Sequence, residues 1–116
     1  MSDTELLPIR DLQACCAPIT REPIEPSNAE SLARSLKALA DPARLRLLSI
    51  VAAHAEGEAC VCELTDPLAL SQSTVSHHLK VLVGAGFLTS TKRGTWHYYR
   101  LVDGALDAVA ALLAAV

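Results

Sequence analysis

The sequence predicts a mainly α-helical domain with a small β-hairpin, arranged as a winged helix-turn-helix. Two observations carry this prediction. Apolar residues recur at helical spacing in five segments, and the fourth of these is followed by two short strand-like runs around a turn. The composition agrees, because 51% of the 116 residues are hydrophobic but only 3% are aromatic. A core of Ala, Leu and Val suits closely packed helices, and the length suits one domain.

Residues 1–28 are predicted to form an N-terminal arm. They contain four of the six prolines among scattered charges, so we expect them to be ordered only where something docks them. The arm carries the adjacent pair Cys15 and Cys16. The folded DNA-binding and dimerisation domain is predicted over residues 29–116.

Three helices are predicted in the first part of this domain, over about 29–39, 42–54 and 60–68. Asp41 and Pro42 mark the start of the second, because an N-cap acid followed by proline is typical of a helix start. Its inward face is predicted as Leu45, Leu48 and Val51. The third helix is expected to be interrupted near Pro67.

A further helix is predicted to begin after Ser71 and to end at Gly84. Its apolar stripe is Val75, Leu79 and Leu82, which leaves a polar face outward. In a helix-turn-helix such a helix places its N-terminal side chains against base edges in the major groove, whereas the alternative is an ordinary solvated face. The side chains predicted to contact DNA from this helix are Gln72, Ser73, Thr74, Ser76, His77 and Lys80.

A hairpin wing is predicted from strands over 87–90 and 95–101, joined by a turn at 92–94. At this turn, Lys92 and Arg93 are predicted to contact DNA phosphates, which adds salt-dependent affinity with little sequence information. A charged turn that only aids solubility is the alternative.

The distribution of charge favours contact with double-stranded DNA. The net charge of −3 argues weakly against it, but no acidic residue lies between Asp66 and Asp103. That stretch holds four basic residues and three of the four histidines. One basic half in an otherwise acidic chain is the electrostatic footprint of a DNA-binding surface.

The last helix is predicted to start at Asp103 or Gly104, with Leu106, Val109, Leu113 and Val116 on one side. It and the helix over 29–39 are rich in Ala and Leu, and the small domain cannot cover both faces by itself. We therefore expect a homodimer built from these two helices. A two-fold dimer implies a palindromic operator whose half-sites lie ~34 Å apart, or a multiple of it.

The chain is expected to be cytoplasmic, without a membrane partner. No apolar run approaches the ~18 residues of a membrane span, and the N-terminus lacks the pattern of a signal peptide. Its four cysteines would then lie in a reducing compartment, where stable disulfides are not expected and metal or redox roles gain weight.

Cys60 and Cys62 form a candidate soft-metal ligand pair at the start of the short helix. Side chains two apart in a regular helix diverge, so sharing one ion requires either distortion of the first turn or a position where the helix is frayed. The helix N-terminus favours thiolate, and thiolates without clustered histidines select soft ions. The alternatives are buried cysteines that only fill space and a disulfide-based redox sensor.

Four segments together resemble the ArsR/SmtB family of metal-responsive repressors. They are residues 37–48 (KALADPARLRLL), 60–64 (CVCEL), 70–79 (LSQSTVSHHL) and 99–101 (YRL), and the resemblance covers about residues 30–102. It implies a dimeric winged-helix repressor that binds operator DNA when metal-free and leaves it when metal binds.

The resemblance also implies which thiols ligate the inducer. Relatives that use only the short helix have a third cysteine at the position of Thr65, so the third thiol here must be Cys15 or Cys16. The predicted inducer is trivalent arsenic or antimony, and cadmium or lead is the alternative. Deletion of residues 1–20 is expected to spare DNA binding and to abolish the metal response.

An enzyme is not expected. The chain lacks a CxxC pair, a phosphate-cradling loop and a positioned general base, which argues against a thiol reductase and against a small organic substrate.

Overall fold

The computed structural model describes residues 7–114 and confirms a mainly helical winged helix-turn-helix. The helices are α1 (Ile9–Cys15), α2 (Pro26–Leu39), α3 (Pro42–Ala53), α4 (Val61–Leu68), α5 (Gln72–Gly84) and α6 (Ala105–Leu113). The strands are β1 (Glu58–Cys60), β2 (Leu88–Arg93) and β3 (Trp96–Leu101), and a 3₁₀ turn covers Ala55–Gly57.

The sheet has three antiparallel strands in the order β1-β3-β2. The hairpin of β2 and β3 is the predicted wing, but strand β1 was not predicted. It is three residues long, and its register places Glu58 opposite Arg100 and Cys60 opposite Tyr98. This pairing attaches the residues just before α4 to the wing.

The core lies where α3, α4 and α5 meet the base of the hairpin. Leu47, Leu64, Leu79 and Phe87 are fully buried there. Asp41 caps α3 as predicted, since its carboxylate accepts from the backbone N–H groups of Ala43 and Arg44 at 2.8 and 3.2 Å.

Helix α1 falls within the predicted arm and packs against α2 and α6. Ile9 and Leu12 are 0% and 1% exposed, so they belong to the core. Helix α2 begins at Pro26, three residues before the predicted start, because proline suits the first turn of a helix.

Two helical details differ from the sequence prediction. Leu45 is 53% exposed, and the buried face of α3 is Leu47, Leu48 and Val51. Pro67 does not interrupt α4, which continues through it to Leu68.

Helix α6 buries Ala105, Ala108, Val109 and Leu112. Leu106 and Leu113 were predicted to share the side of Val109, but they are 43% and 37% exposed. They lie seven residues apart, which leaves an apolar stripe of α6 uncovered by the rest of the chain. Val116 lies outside the described residues.

Across residues 7–114, none of the helices is both long enough and apolar enough to cross a membrane.

Candidate functional site

Helix α5 presents the predicted DNA-contacting face to solvent. Ser71 caps it, accepting from the backbone N–H of Thr74 at 3.2 Å, and Val75, Leu79 and Leu82 are fully buried. Gln72, Ser73, Thr74, His77 and Lys80 are exposed, and Ser76 is half-buried. The buried face therefore fixes the helix against the core, and the exposed face carries the polar side chains that contact with bases or phosphates requires.

His78 lies at the edge of the buried stripe and holds α5 to the preceding helices. Arg44 donates to its Nδ1 at 3.1 Å and also donates to the Ala38 carbonyl oxygen at 2.6 Å. Arg34 in turn donates to the carbonyl oxygen of Gly84 at 3.0 Å, at the far end of α5. These bonds position α5 and leave His78 as a packing residue.

The wing turn starts two residues later than predicted and ends one residue later. Arg93 is paired with Trp96, so the turn consists of Gly94 and Thr95. Gly94 has φ +64, the left-handed conformation that the first position of such a turn requires. The pair Gly94-Thr95 between two strand-like runs is the sequence feature that could have located this turn.

This register places Lys92 and Arg93 on opposite faces of the hairpin. Lys92 is opposite His97 and shares a face with Ser90 and Tyr99, which line a cleft against α5. Arg93 faces away from α5. The two side chains predicted to act together at the tip therefore have different surroundings.

Arg93 forms a two-pronged ion pair with Glu58. Its two terminal nitrogens donate to the two carboxylate oxygens of Glu58 at 2.8 Å each, and the guanidinium lies 4.7 Å from the centre of the Tyr98 ring. The hydrogen bonds to Glu58, together with its negative charge, raise the pKa of Arg93. Strand β1 is thus clamped to the wing, two residues before Cys60.

The structure brings Cys60 and Cys62 together without distorting the helix. Cys60 is the last residue of β1 and the N-cap of α4, with extended backbone, so only Cys62 is helical. The Cα atoms are 5.3 Å apart, and a disulfide joins the two sulfurs. The prediction that both residues lie in the helix is wrong, because the extended cap residue turns its side chain toward Cys62.

Carboxylates around this pair are already engaged. The backbone N–H of Cys60 donates to Glu63 Oε1 at 2.8 Å, and Glu63 Oε2 lies 3.5 Å from His54 Nε2. Glu58 is occupied by Arg93. Their opposition to thiolate formation is reduced, while the N-terminus of α4 favours thiolate.

Cys15 and Cys16 lie apart from Cys60 and Cys62. A disulfide joins this pair also, at the end of α1. They line a small cavity of about 160 Å³ with residues 22–25 and Asn28, and no residue of β1 or α4 contributes to it. Both disulfides differ from the expectation that stable disulfides do not form.

Within residues 7–114 of one chain, no three Cys, His, Asp or Glu side chains are grouped so that they could hold a metal ion. Position 65, where a third cysteine would stand, holds a threonine whose hydroxyl donates to the Val61 carbonyl oxygen at 3.0 Å. After reduction of its disulfide, the Cys60–Cys62 pair therefore offers two ligands only.

Residues 41–90, which contain α3, β1, α4 and α5, match the family described as "Bacterial regulatory protein, arsR family". The arsenical resistance operon repressor of Staphylococcus xylosus is 40% identical over 78 residues, which are 67% of this chain and 72% of that protein. The chain belongs to the arsR family. The arsenic resistance transcriptional regulator ArsR1 of Pseudomonas putida is 51% identical over 65 residues, which are 56% of this chain and 49% of that protein.

Solved structures of the arsR family share the fold. The antimony-specific transcriptional repressor AntR superposes with a TM-score of 0.65 at 30% identity, covering 78% of this chain and 80% of that one. A homodimeric winged helix-turn-helix DNA-binding domain from Mycobacterium bovis gives a TM-score of 0.61 at 29% identity, covering 79% and 80%. This chain is thus a winged-helix transcriptional regulator of the arsR family, and the prediction that it is not an enzyme is confirmed by that membership.

Proposed function

We propose that this protein is a cytoplasmic repressor that binds operator DNA as a homodimer and releases it when trivalent arsenic or antimony binds its thiolates. The observation that carries the proposal is the position of Cys60. This residue ends the strand that is clamped to the wing and caps the helix that packs against α5. A ligand on its sulfur therefore acts on both DNA-facing elements.

The exposed polar face of α5 supplies the proposed base contacts, and the wing supplies phosphate contacts. Short or planar hydrogen-bonding side chains near the start of a recognition helix reach base edges, and lysines bind phosphates. Lys92 is placed for this role, whereas Arg93 reaches a phosphate only if it leaves or shares Glu58.

The dimer is proposed to form through α6 together with α1 and α2. The exposed stripe of Leu106 and Leu113 lies on α6, against which α1 also packs. A second copy would remove this apolar surface from water. The homodimeric relative from M. bovis supports the formation of a homodimer.

The inducer site is proposed to span two subunits. Trivalent arsenic needs three sulfurs, and Cys60 with Cys62 provides two. Since Cys15 and Cys16 of the same chain lie in a separate cavity, the third sulfur comes from the arm of the partner subunit. The relatives named for arsenic and antimony support these inducers, and three or four thiolates would also suit cadmium or lead.

Coupling between thiols and DNA is proposed to pass through Glu58. Once a cellular thiol reductant has opened the Cys60–Cys62 disulfide, the inducer draws the two thiolates onto one ion, β1 shifts against β3, and the Glu58–Arg93 pair shifts with it. The wing then loses its position relative to α5. Effective regulation needs a coupling free energy of about 1–3 kcal/mol, and operator DNA must weaken inducer binding by the same factor.

Arg93→Gln is expected to weaken this coupling, because it removes the clamp between β1 and the wing. The fold loss of operator affinity that arsenite causes should be at least five times smaller in this variant than in the parent. Lys92→Gln, the matched control on the other face, should keep the arsenite response and lower the salt slope of operator binding by about 2, or about 1 for each subunit. Fluorescence anisotropy across a salt series, with and without arsenite, measures both. Equal coupling in the two variants would exclude this route.

A thiol redox-responsive repressor is the second candidate function, favoured by the disulfide between Cys60 and Cys62. It differs from the first in its trigger. Peroxide would release the operator in the absence of any metal, and a reductant would restore binding.

The test of the proposed function is operator binding under reducing conditions during titration with arsenite, antimonite, cadmium, lead and zinc. The operator is first obtained by selection from random duplexes. Release by arsenite or antimonite at the lowest concentration is the expected result. Release by cadmium or lead alone would mean that this ion, and not arsenic or antimony, is the inducer. Release by peroxide alone would establish the redox alternative.

A further inference from the structure

One face of the wing and one side of α5 enclose an open cleft of about 380 Å³. The strand register places Ser90 opposite Tyr99 and Lys92 opposite His97 on this face. Residues directly opposite in an antiparallel pair point the same way. The cleft is lined by Ser76, Lys80, Val83, Ser90, His97 and Tyr99.

The polar groups of this cleft are those that bind an anion. Lys80 comes from α5, Lys92 borders the cleft from β2, and hydroxyl groups come from two serines and Tyr99. Burial raises the pKa of Tyr99, so its hydroxyl remains a hydrogen-bond donor at neutral pH. No acidic side chain is among the lining residues.

His97 is exposed in this cleft and has basic neighbours on both sides. Lys92 faces it from β2, and Lys80 faces it from α5. Glu58 of β1 is held by Arg93 on the opposite face of the hairpin. An anion that enters the cleft therefore meets basic and hydroxyl groups and no negative side chain among the lining residues.

We propose that this cleft binds a backbone phosphate of DNA and that His97 contacts it as the imidazolium. The inference rests on the proposed function and adds a residue and a pH dependence to it. Phosphate oxygens accept strong hydrogen bonds from ammonium, imidazolium and hydroxyl groups. Histidine changes its charge between pH 5 and 8, so each DNA contact takes up a proton in this range. Binding that takes up protons strengthens as the pH falls.

The experiment is fluorescence anisotropy with the selected operator duplex at pH 8, 7 and 6, at constant ionic strength and without inducer. The affinity of the parent dimer should rise by about tenfold from pH 8 to pH 6, which corresponds to an uptake of about half a proton per dimer averaged over these two pH units. His97→Gln should lose most of this slope and keep the pH 8 affinity within about twofold. His54→Gln, at the end of α3 and outside this cleft, is the matched control and should keep the slope.

A duplex of scrambled sequence separates a phosphate contact from a base contact. Phosphates carry no sequence information, so the same slope should be measured on scrambled DNA. A slope that persists in His97→Gln, or one that occurs only with the operator, overturns the inference. Failure of the parent to bind any duplex at pH 8 contradicts the proposed function itself, and the inference with it.

Discussion

A Cys60→Ser, Cys62→Ser double variant is expected to bind the operator as tightly as the parent and to remain bound when arsenite is added. Operator affinity of the parent should fall about 5–150-fold with arsenite, which corresponds to a coupling of 1–3 kcal/mol. In the variant it should change less than twofold. The reason is that serine oxygens do not replace thiolates as ligands of soft ions.

The fold of this double variant should be intact. Cys60 caps α4 by accepting from the backbone N–H of Cys62 at 3.2 Å, and a serine hydroxyl makes the same bond well. Thermal unfolding followed by circular dichroism checks this point. Thr65→Ser, which changes the same helix without touching a thiol, is the control and should respond to arsenite normally. Normal release by the double variant would remove these thiols from the mechanism.

Deletion of residues 1–20, which the sequence alone predicted to spare DNA binding, is instead expected to destabilise the whole domain. It removes Ile9 and Leu12 from the core, and the loss of one large buried aliphatic side chain costs about 2–5 kcal/mol. Because small domains have only about 5–15 kcal/mol of total stability, much of the protein should unfold. The measurement is urea denaturation of the deletion variant beside the parent. A change below about 1 kcal/mol would show that α1 does not belong to the core.

Cys15→Ser, Cys16→Ser is the matched control for this deletion, since Cys15 is exposed and Cys16 is only half-buried at the edge of the core. It should unfold like the parent, bind the operator, and lose the arsenite response. Adding Thr65→Cys to it supplies the third thiol in the position that relatives use, and should restore release. Without such rescue, the assignment of the arm thiols as ligands would be wrong.

The sequence predicted the elements whose signals are local. The cap at Ser71, the stripe of Val75, Leu79 and Leu82, and the cap at Asp41 each specify a helix within a few residues. These local signals correctly placed the exposed face of α5 relative to the core. The motifs also led to the correct family.

What the sequence could not predict depends on residues far apart in the chain. Strand β1 has three residues and no alternation, and it exists because it pairs with β3 some forty positions later. The Glu58–Arg93 pair likewise joins residues 35 positions apart. Helix α1 has only two core residues, too few for a clear periodicity, and it is stabilised by α2 and α6.

The two cysteine pairs show the same limit. Their closeness in sequence suggested ligands, but the extended cap conformation of Cys60 decides that its sulfur meets that of Cys62. The distance of the arm pair from that site is a consequence of how α1 docks. The central prediction is that the arm of the partner subunit supplies the third sulfur.

Mixed dimers test this prediction most directly. One chain carries Cys15→Ser, Cys16→Ser and the other carries Cys60→Ser, Cys62→Ser, with different affinity tags so that only heterodimers are purified. If the arm of one subunit completes the site of the other, the heterodimer keeps one intact site. It should bind one arsenic per dimer with three As–S bonds by X-ray absorption, while each variant homodimer binds none this way. A heterodimer without a three-sulfur site would contradict the account.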